Sequence, residues 1–224
     1  MLVLITGTSS GIGKATAQKF LEMGHIVYGL DIKPSTISSV RYFHTIIDLK
    51  DADKLPKFEF GFDIIINNAG LQDSDNDIAN NLMTAYNVTE KYAFQPNIKS
   101  VLFNASASAH TGFEFPLYSA SKAGMIGYMK NVAWRLAKSY RATCNSISCG
   151  GVITDLNTPV LTDKALMEQI MSVTPLKRWA TADEIAEWIY FLTVVNKNCS
   201  GQDILIDAGE KDLRCSFVWP GFND

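Results

Sequence analysis

Seven short apolar, β-branched runs, at residues 2–6, 26–31, 42–48, 63–67, 101–106, 144–149 and 204–207, alternate with stretches long enough to carry helices. Such runs read as strands buried on both faces, because a strand with one wet face would alternate apolar with polar residues. Strands joined through helical crossovers run parallel, and the helices cover the sheet. The expected fold is α/β: a three-layer, doubly wound parallel sheet of about seven strands with helices on both faces. In the first crossover Ile12, Ala15, Thr16, Phe20 and Met23 share a helical face, and Gly24 supplies a left-handed stop. In the last, Thr181 and Glu184 have the spacing of a capping box and open a helix expected to turn Ile185, Trp188, Ile189 and Leu192 inward. With no Pro/Gly/Ser linker and no repeat, residues 1–210 read as a single domain and 211–224 as a tail.

Composition removes several classes of function. No run of about 18 apolar residues suggests a membrane span, and the first residues carry no basic or long apolar leader, so a cytoplasmic protein is expected. A net charge of -3 without a basic block gives no footprint for nucleic acid. The four cysteines form no Cys-x-x-Cys pair and lack histidines at ligand spacing, so free thiols and no metal are expected.

The turn between the first strand and first helix is rich in glycine. Gly7 allows a tight turn, Gly11 lets backbone amides approach a pyrophosphate, and Gly13 lets helix pack closely on strand. The helix N-terminus adds a partial positive charge. Ser9, Ser10 and Ile12 lie in the same turn. Asp31 ends the second strand near the spacing at which a carboxylate meets the adenosine ribose hydroxyls of NAD. Together these features point to a Rossmann-type dinucleotide site. The same residues fit the Gly-x-Ser-x-Gly elbow of α/β-hydrolases, with Ser9 as nucleophile. That reading lacks a late histidine: His25, His44 and His110 all precede the place where the fold's base would stand.

Tyr118 and Lys122 are four residues apart at the start of an expected helix, so their side chains share one face about a turn apart. A free tyrosine has a pKa near about 10, and an adjacent ammonium favours its phenolate. Tuned in this way, the phenol can give or take an alcohol proton near neutral pH.

With the glycine turn, Asn67-Asn68-Ala69-Gly70 after the fourth strand, Ser106 after the fifth, and the Tyr118/Lys122 pair, nearly the whole chain resembles the short-chain dehydrogenase/reductases. The resemblance implies that Tyr118 is the proton donor or acceptor, and that Lys122 tunes it and holds the nicotinamide ribose. It implies that Ser106 orients the substrate oxygen and that Asn81 anchors a relay water. Asn81 is taken over Asn80 and Asn87 because Asn81-Leu82, followed by Thr89, looks like the family's helix pattern. Asp48 and Leu49 look like the adenine-contacting pair. Asn68, Ala69 and Gly70 look like a wall of the cofactor site, and Gly151, Val152 and Thr154 like the segment beside the nicotinamide.

Three departures stand out. Ser106 is twelve positions before Tyr118, one fewer than usual, which keeps Ser108 as a rival; Cys149 replaces the usual proline; and the interval from Asp31 to Tyr42 is too short for the usual helix. The implied activity is interconversion of a secondary alcohol and a ketone with NAD(H), on a small alcohol or carbonyl substrate, in a homodimer or homotetramer. Two alternatives stay open: an NADPH-dependent 3-oxoacyl thioester reductase and a catalytically silent NAD(H)-binding sensor. His110, Phe113, Glu114 and Phe115 are candidates to line the substrate pocket. The aromatic tail, with Phe217, Trp219 and Phe222, is expected to dock on its own or a neighbouring subunit.

Overall fold

A computed structural model of the chain describes residues 1–113 and 115–213. The tail's docking and the pocket role of Glu114 fall outside the described residues. In chain order the strands and helices are β1 (Leu2–Thr6), α1 (Gly11–Glu22), β2 (Ile26–Asp31), β3 (Tyr42–Ile46), β4 (Ile64–Asn67), α2 (Thr84–Tyr92), β5 (Ser100–Asn104), α3 (Ser108–Thr111), α4 (Pro116–Tyr140), β6 (Thr143–Cys149), β7 (Val152–Ile153), α5 (Thr158–Leu161), α6 (Lys164–Val173), β8 (Ala180–Thr181), α7 (Ala182–Tyr190) and β9 (Asp203–Ile206). A π-helical segment, Ile78–Met83, precedes α2. No helix among the described residues is long and apolar enough to cross a membrane.

Seven strands form one parallel sheet in the order β3-β2-β1-β4-β5-β6-β9. The central strands explain their own sequences. Ile64, Ile65 and Ile66 are all fully buried, because a strand between two helical layers must be apolar on both faces. One layer packs Leu4, Ile65, Val101 and Phe103 against Val88, Met125, Met129 and Leu136 of α2 and α4. The other packs Val3, Ile5, Ile64 and Ile66 with Phe20 of α1 and Ile185 and Ile189 of α7.

Three expectations need correction. Met23 is 49% exposed: it is the C-cap of α1, already outside the buried face, while Ala17 and Leu21 complete that face. The capping box at Thr181 and Glu184 is present and opens α7. Trp188, however, is 43% exposed, on the outer side against Phe191, and Ala186 takes the inward place. Several strands begin or end one or two residues from the expected limits; residues 47–48 and 105–106, for example, have left the sheet and face the cleft.

No helix forms between β2 and β3. A chain of polar contacts holds the connection instead. The hydroxyl of Thr8 meets that of Tyr42 (2.8 Å), which meets His44 Nδ1 (2.9 Å), and His44 Nε2 donates to the Lys33 carbonyl (2.8 Å).

Candidate active site

The strand order places β2 and β4 on opposite sides of β1, and the chain leaves the carboxyl ends of β1 and β4 toward opposite faces, through α1 and α2, so a crevice opens between them. It widens into a cleft of about 1370 Å³ running from Asp31 and the glycine turn to Tyr118 and beyond. Drug-sized sites occupy roughly 300–1,000 Å³, so this cleft has room for more than one small molecule.

At one end the glycine turn is stitched to the residues after β4. The hydroxyl oxygen of Thr6 accepts the N–H groups of Asn68 (3.0 Å) and Ala69 (2.9 Å). Gly7 has φ +74° and Gly11 φ +52°, conformations that a side chain opposes. Gly13 is needed for a different reason. A Cβ there would stand 2.0 Å from the Gly7 carbonyl oxygen, so α1 begins this close to β1 only without one. Asp31 is fixed from both sides: Oδ2 accepts the Ser9 N–H (2.9 Å) and Oδ1 the Lys33 N–H (2.9 Å). Each oxygen keeps a lone pair for a further donor. Asp48 and Leu49 line the same end, on a loop that Asn87 Nδ2 anchors through the carbonyls of Leu49 (3.1 Å) and Lys50 (3.2 Å).

At the other end Pro116 starts α4, where a missing N–H costs nothing, and so sets Tyr118 and Lys122 in its first two turns. The Lys122 ammonium is 5.6 Å from the centre of the Tyr118 ring and donates to the Asn104 carbonyl (2.8 Å). Asn104 Nδ2 donates to Asn68 Oδ1 (2.8 Å), and Asn68 Nδ2 to the Thr6 carbonyl (3.0 Å). Two asparagines thus tie the lysine to the glycine turn. Burial pulls the Lys122 ammonium down to about 8, and pushes the neighbouring Cys149 thiol up to about 12. Ser106 and Ser108 both line the cleft, and the Ser106 hydroxyl donates to that of Ser108 (3.2 Å), so the structure brings the two rivals together.

Most of the expected residues meet along this cleft: Gly7, Ser10, Gly11, Ile12, Asp31, Asp48, Leu49, Asn68, Ala69, Gly70, Ser106, Tyr118, Lys122, Gly151, Val152 and Thr154 all line it. Ser9, Gly13 and Asn81 do not line it. The Ser9 hydroxyl donates to the Lys33 carbonyl (2.9 Å). Asn81 is fully buried in the π-helical segment: Oδ1 accepts the Leu71 N–H (2.7 Å), and Nδ2 donates to the Leu71 carbonyl and the Ser121 hydroxyl (3.0 Å each). Ser121 in turn donates to the Tyr118 carbonyl (2.7 Å), so Asn81 braces the first turns of α4, while Asn80 is the asparagine that lines the cleft.

Sequence reasoning missed Asn104 and Trp179. A polar residue ending the otherwise apolar β5 was a usable signal for Asn104. Nothing in the sequence announces that Trp179 stacks so closely on Gly151 that a Cβ there would stand 2.0 Å from the indole.

The cleft is also lined by Leu156, Val160, Ile170, Val173 and Trp179, and by His110, Thr111 and Phe113. His110 is held by Asp203 (Nε2 to Oδ2, 2.7 Å). None of the three histidines bonds Ser9: His25 meets Met1 and Tyr190, His44 meets Tyr42 and Lys33, and His110 meets Asp203 and Ser148. A serine hydrolase at this turn would therefore have no base.

A family model described as enoyl-(acyl carrier protein) reductase matches residues 56–211. Among curated relatives, the 3-oxoacyl-acyl-carrier-protein reductase FabG of Thermotoga maritima is 30% identical, over 92% of this chain and 96% of its own. The enzyme of the same name from Buchnera aphidicola is 28% identical, over 84% and 87%. Among solved structures, a 4-hydroxyisoleucine dehydrogenase complexed with NADH superposes with a TM-score of 0.83 at 28% identity, covering 94% of this chain and 98% of that one.

Proposed function

The chain belongs to the short-chain dehydrogenase/reductase family, and on that footing we propose that it is an NAD(H)-dependent oxidoreductase interconverting a secondary alcohol and a ketone. One observation carries the reading: a single cleft joins a dinucleotide cradle, closed by Asp31, to Tyr118, Lys122 and Ser106. The cradle fits the cofactor because the turn at Gly7 and Gly11 presents backbone where side chains would project, at the N-terminus of α1. A bound nicotinamide supplies or accepts the hydride. The chain's own residues handle the proton and the geometry. The Lys122 ammonium stabilises the Tyr118 phenolate, Tyr118 Oη gives or takes the proton of the alcohol, and Ser106 Oγ donates to the substrate oxygen. The apolar walls at Leu156, Val160 and Trp179 exclude water from that exchange.

Preference for NAD rests on Asp31. Its fixed carboxylate can accept from ribose hydroxyls but repels a 2′-phosphate, and a difference of about 1.4 kcal/mol is already tenfold. A second reading, an NADPH-dependent 3-oxoacyl thioester reductase, draws support from the names of the curated relatives and from Lys33, a cation at the same end of the cleft.

Initial rates with NADH and NADPH across a panel of ketones, diketones and 3-oxoacyl thioesters test both readings. NADH should give at least about tenfold higher kcat/KM; equal or better values with NADPH would overturn the NAD assignment. Tyr118→Phe should bind NADH as the parent does in calorimetry yet lose about 10²–10⁴-fold in turnover. Turnover within tenfold of the parent would remove Tyr118 from the proton step.

A further inference from the structure

Two formal charges are buried where the π-helical segment meets α4. Lys122 is 5% exposed and Asp77, the residue before that segment, 1%. Neither takes part in any ion pair among the described residues. The Lys122 ammonium donates to the Asn104 carbonyl, and among the described residues the Asp77 carboxylate accepts the N–H (3.1 Å) and hydroxyl of Ser74. A charge removed from water is unfavourable unless another charge or strong hydrogen bonds offset it.

The elements carrying these charges abut. Asn81, one turn on from Asp77, donates to Ser121 beside Lys122. A Cβ on Gly70 would lie 2.7 Å from Asn81 Oδ1 and 3.5 Å from Lys122 Nζ, so both side chains close on the same small space. We propose that Asp77 is a positioning residue: its buried carboxylate is the counter-charge, across this contact, that keeps Lys122 an ammonium directed at Tyr118. Among the described residues, the titratable groups that act on Lys122 are Tyr118 on its own helix, Cys149 from β6 and Asp77 from the π-helical side. Burial holds the Cys149 thiol protonated to about 12, so near neutral pH it supplies no negative charge. Among the described residues, Asp77 is left as the carboxylate that opposes the downward pull of burial on Lys122.

This rests on the reading of Lys122 as the ammonium that tunes Tyr118, but its test needs no substrate. The Lys122 side chain in the full-length apo protein is titrated by carbon and nitrogen NMR, its resonance assigned by its loss in Lys122→Met. In Asp77→Asn and in Asp77→Ser the midpoint should fall by at least about half a pH unit, since removing an opposite charge disfavours the ammonium. Asp77→Glu, which keeps the charge, should restore most of the midpoint, and the affinity for NADH should weaken at a correspondingly lower pH in the neutral variants. A folded neutral variant that titrates with the parent would overturn the proposal. So would loss of fold in both neutral variants, which would make Asp77 a structural residue only. If instead Tyr118→Phe stayed active, the functional reading would fail while the titration still decided the role of Asp77.

Discussion

A buried ammonium stabilises a phenolate beside it and, by the same desolvation, weakens the apo fold that contains it. Lys122 has an unfolded value of 10.5 and a folded value of about 8. Below pH 8 both states are protonated and the full cost is present. Between pH 8 and 10.5 the unfolded chain binds more protons, so this group's contribution to stability rises with pH. Lys122→Met should therefore gain stability relative to the parent below pH 8, on the order of 3 kcal/mol before the loss of the Asn104 contact is subtracted. The gap should close across the window from pH 8 to 10.5. Urea melts of both proteins over pH 7–10.5 measure it, and parallel curves would show that burial does not depress Lys122. The pair at 118 and 122 was legible because i,i+4 spacing fixes a shared face in any helix. The other groups that act on Lys122 were not, because Asn104, Cys149 and Asp77 come from three other segments of the chain.

Elements were read better than their edges. Periodicity identifies the buried face of a helix but not the residue at which the helix stops, which is why Met23 was placed inside and proved to be a cap. Trp188 failed for a related reason: α7 is only half covered, by α1 and the sheet, and a ring at the margin of its buried face turns outward. The junction of β1 and α1 was legible in detail because its glycines answer separate needs. Gly11 meets nothing nearer than Thr154 at 3.5 Å and is required by its positive φ, whereas Gly13 is required by contact with backbone. Gly13→Ala must push α1 away from Gly7 or break the turn, so it should cost about 1–3 kcal/mol or more in chemical denaturation and weaken NADH binding further. Stability and affinity both unchanged would show that the junction yields without cost.

At the scale of the molecule, the decisive event is the return of the chain from β3 at one edge to β4 beside β1. That reversal creates the crevice, and it brings Asp31, Gly7, Ser106 and Tyr118 along one cleft although 111 positions separate the first of these in the chain from the last. The layered α/β class, the strands, the glycine turn and the Tyr118/Lys122 pair are legible along the chain. Each depends on short-range geometry: the two-sided burial of a strand, the backbone freedom of glycine, the pitch of a helix. Only the packing of distant segments shows that Asn81 braces α4, and that the interval after Asp31, too short for a helix, is held by hydrogen bonds through Tyr42 and His44. It also decided that Asp77 is buried beside the segment packed on Lys122. These outcomes turn on which distant segments meet and on which charges are shut away from water, and neither is encoded in the spacing of residues along the chain.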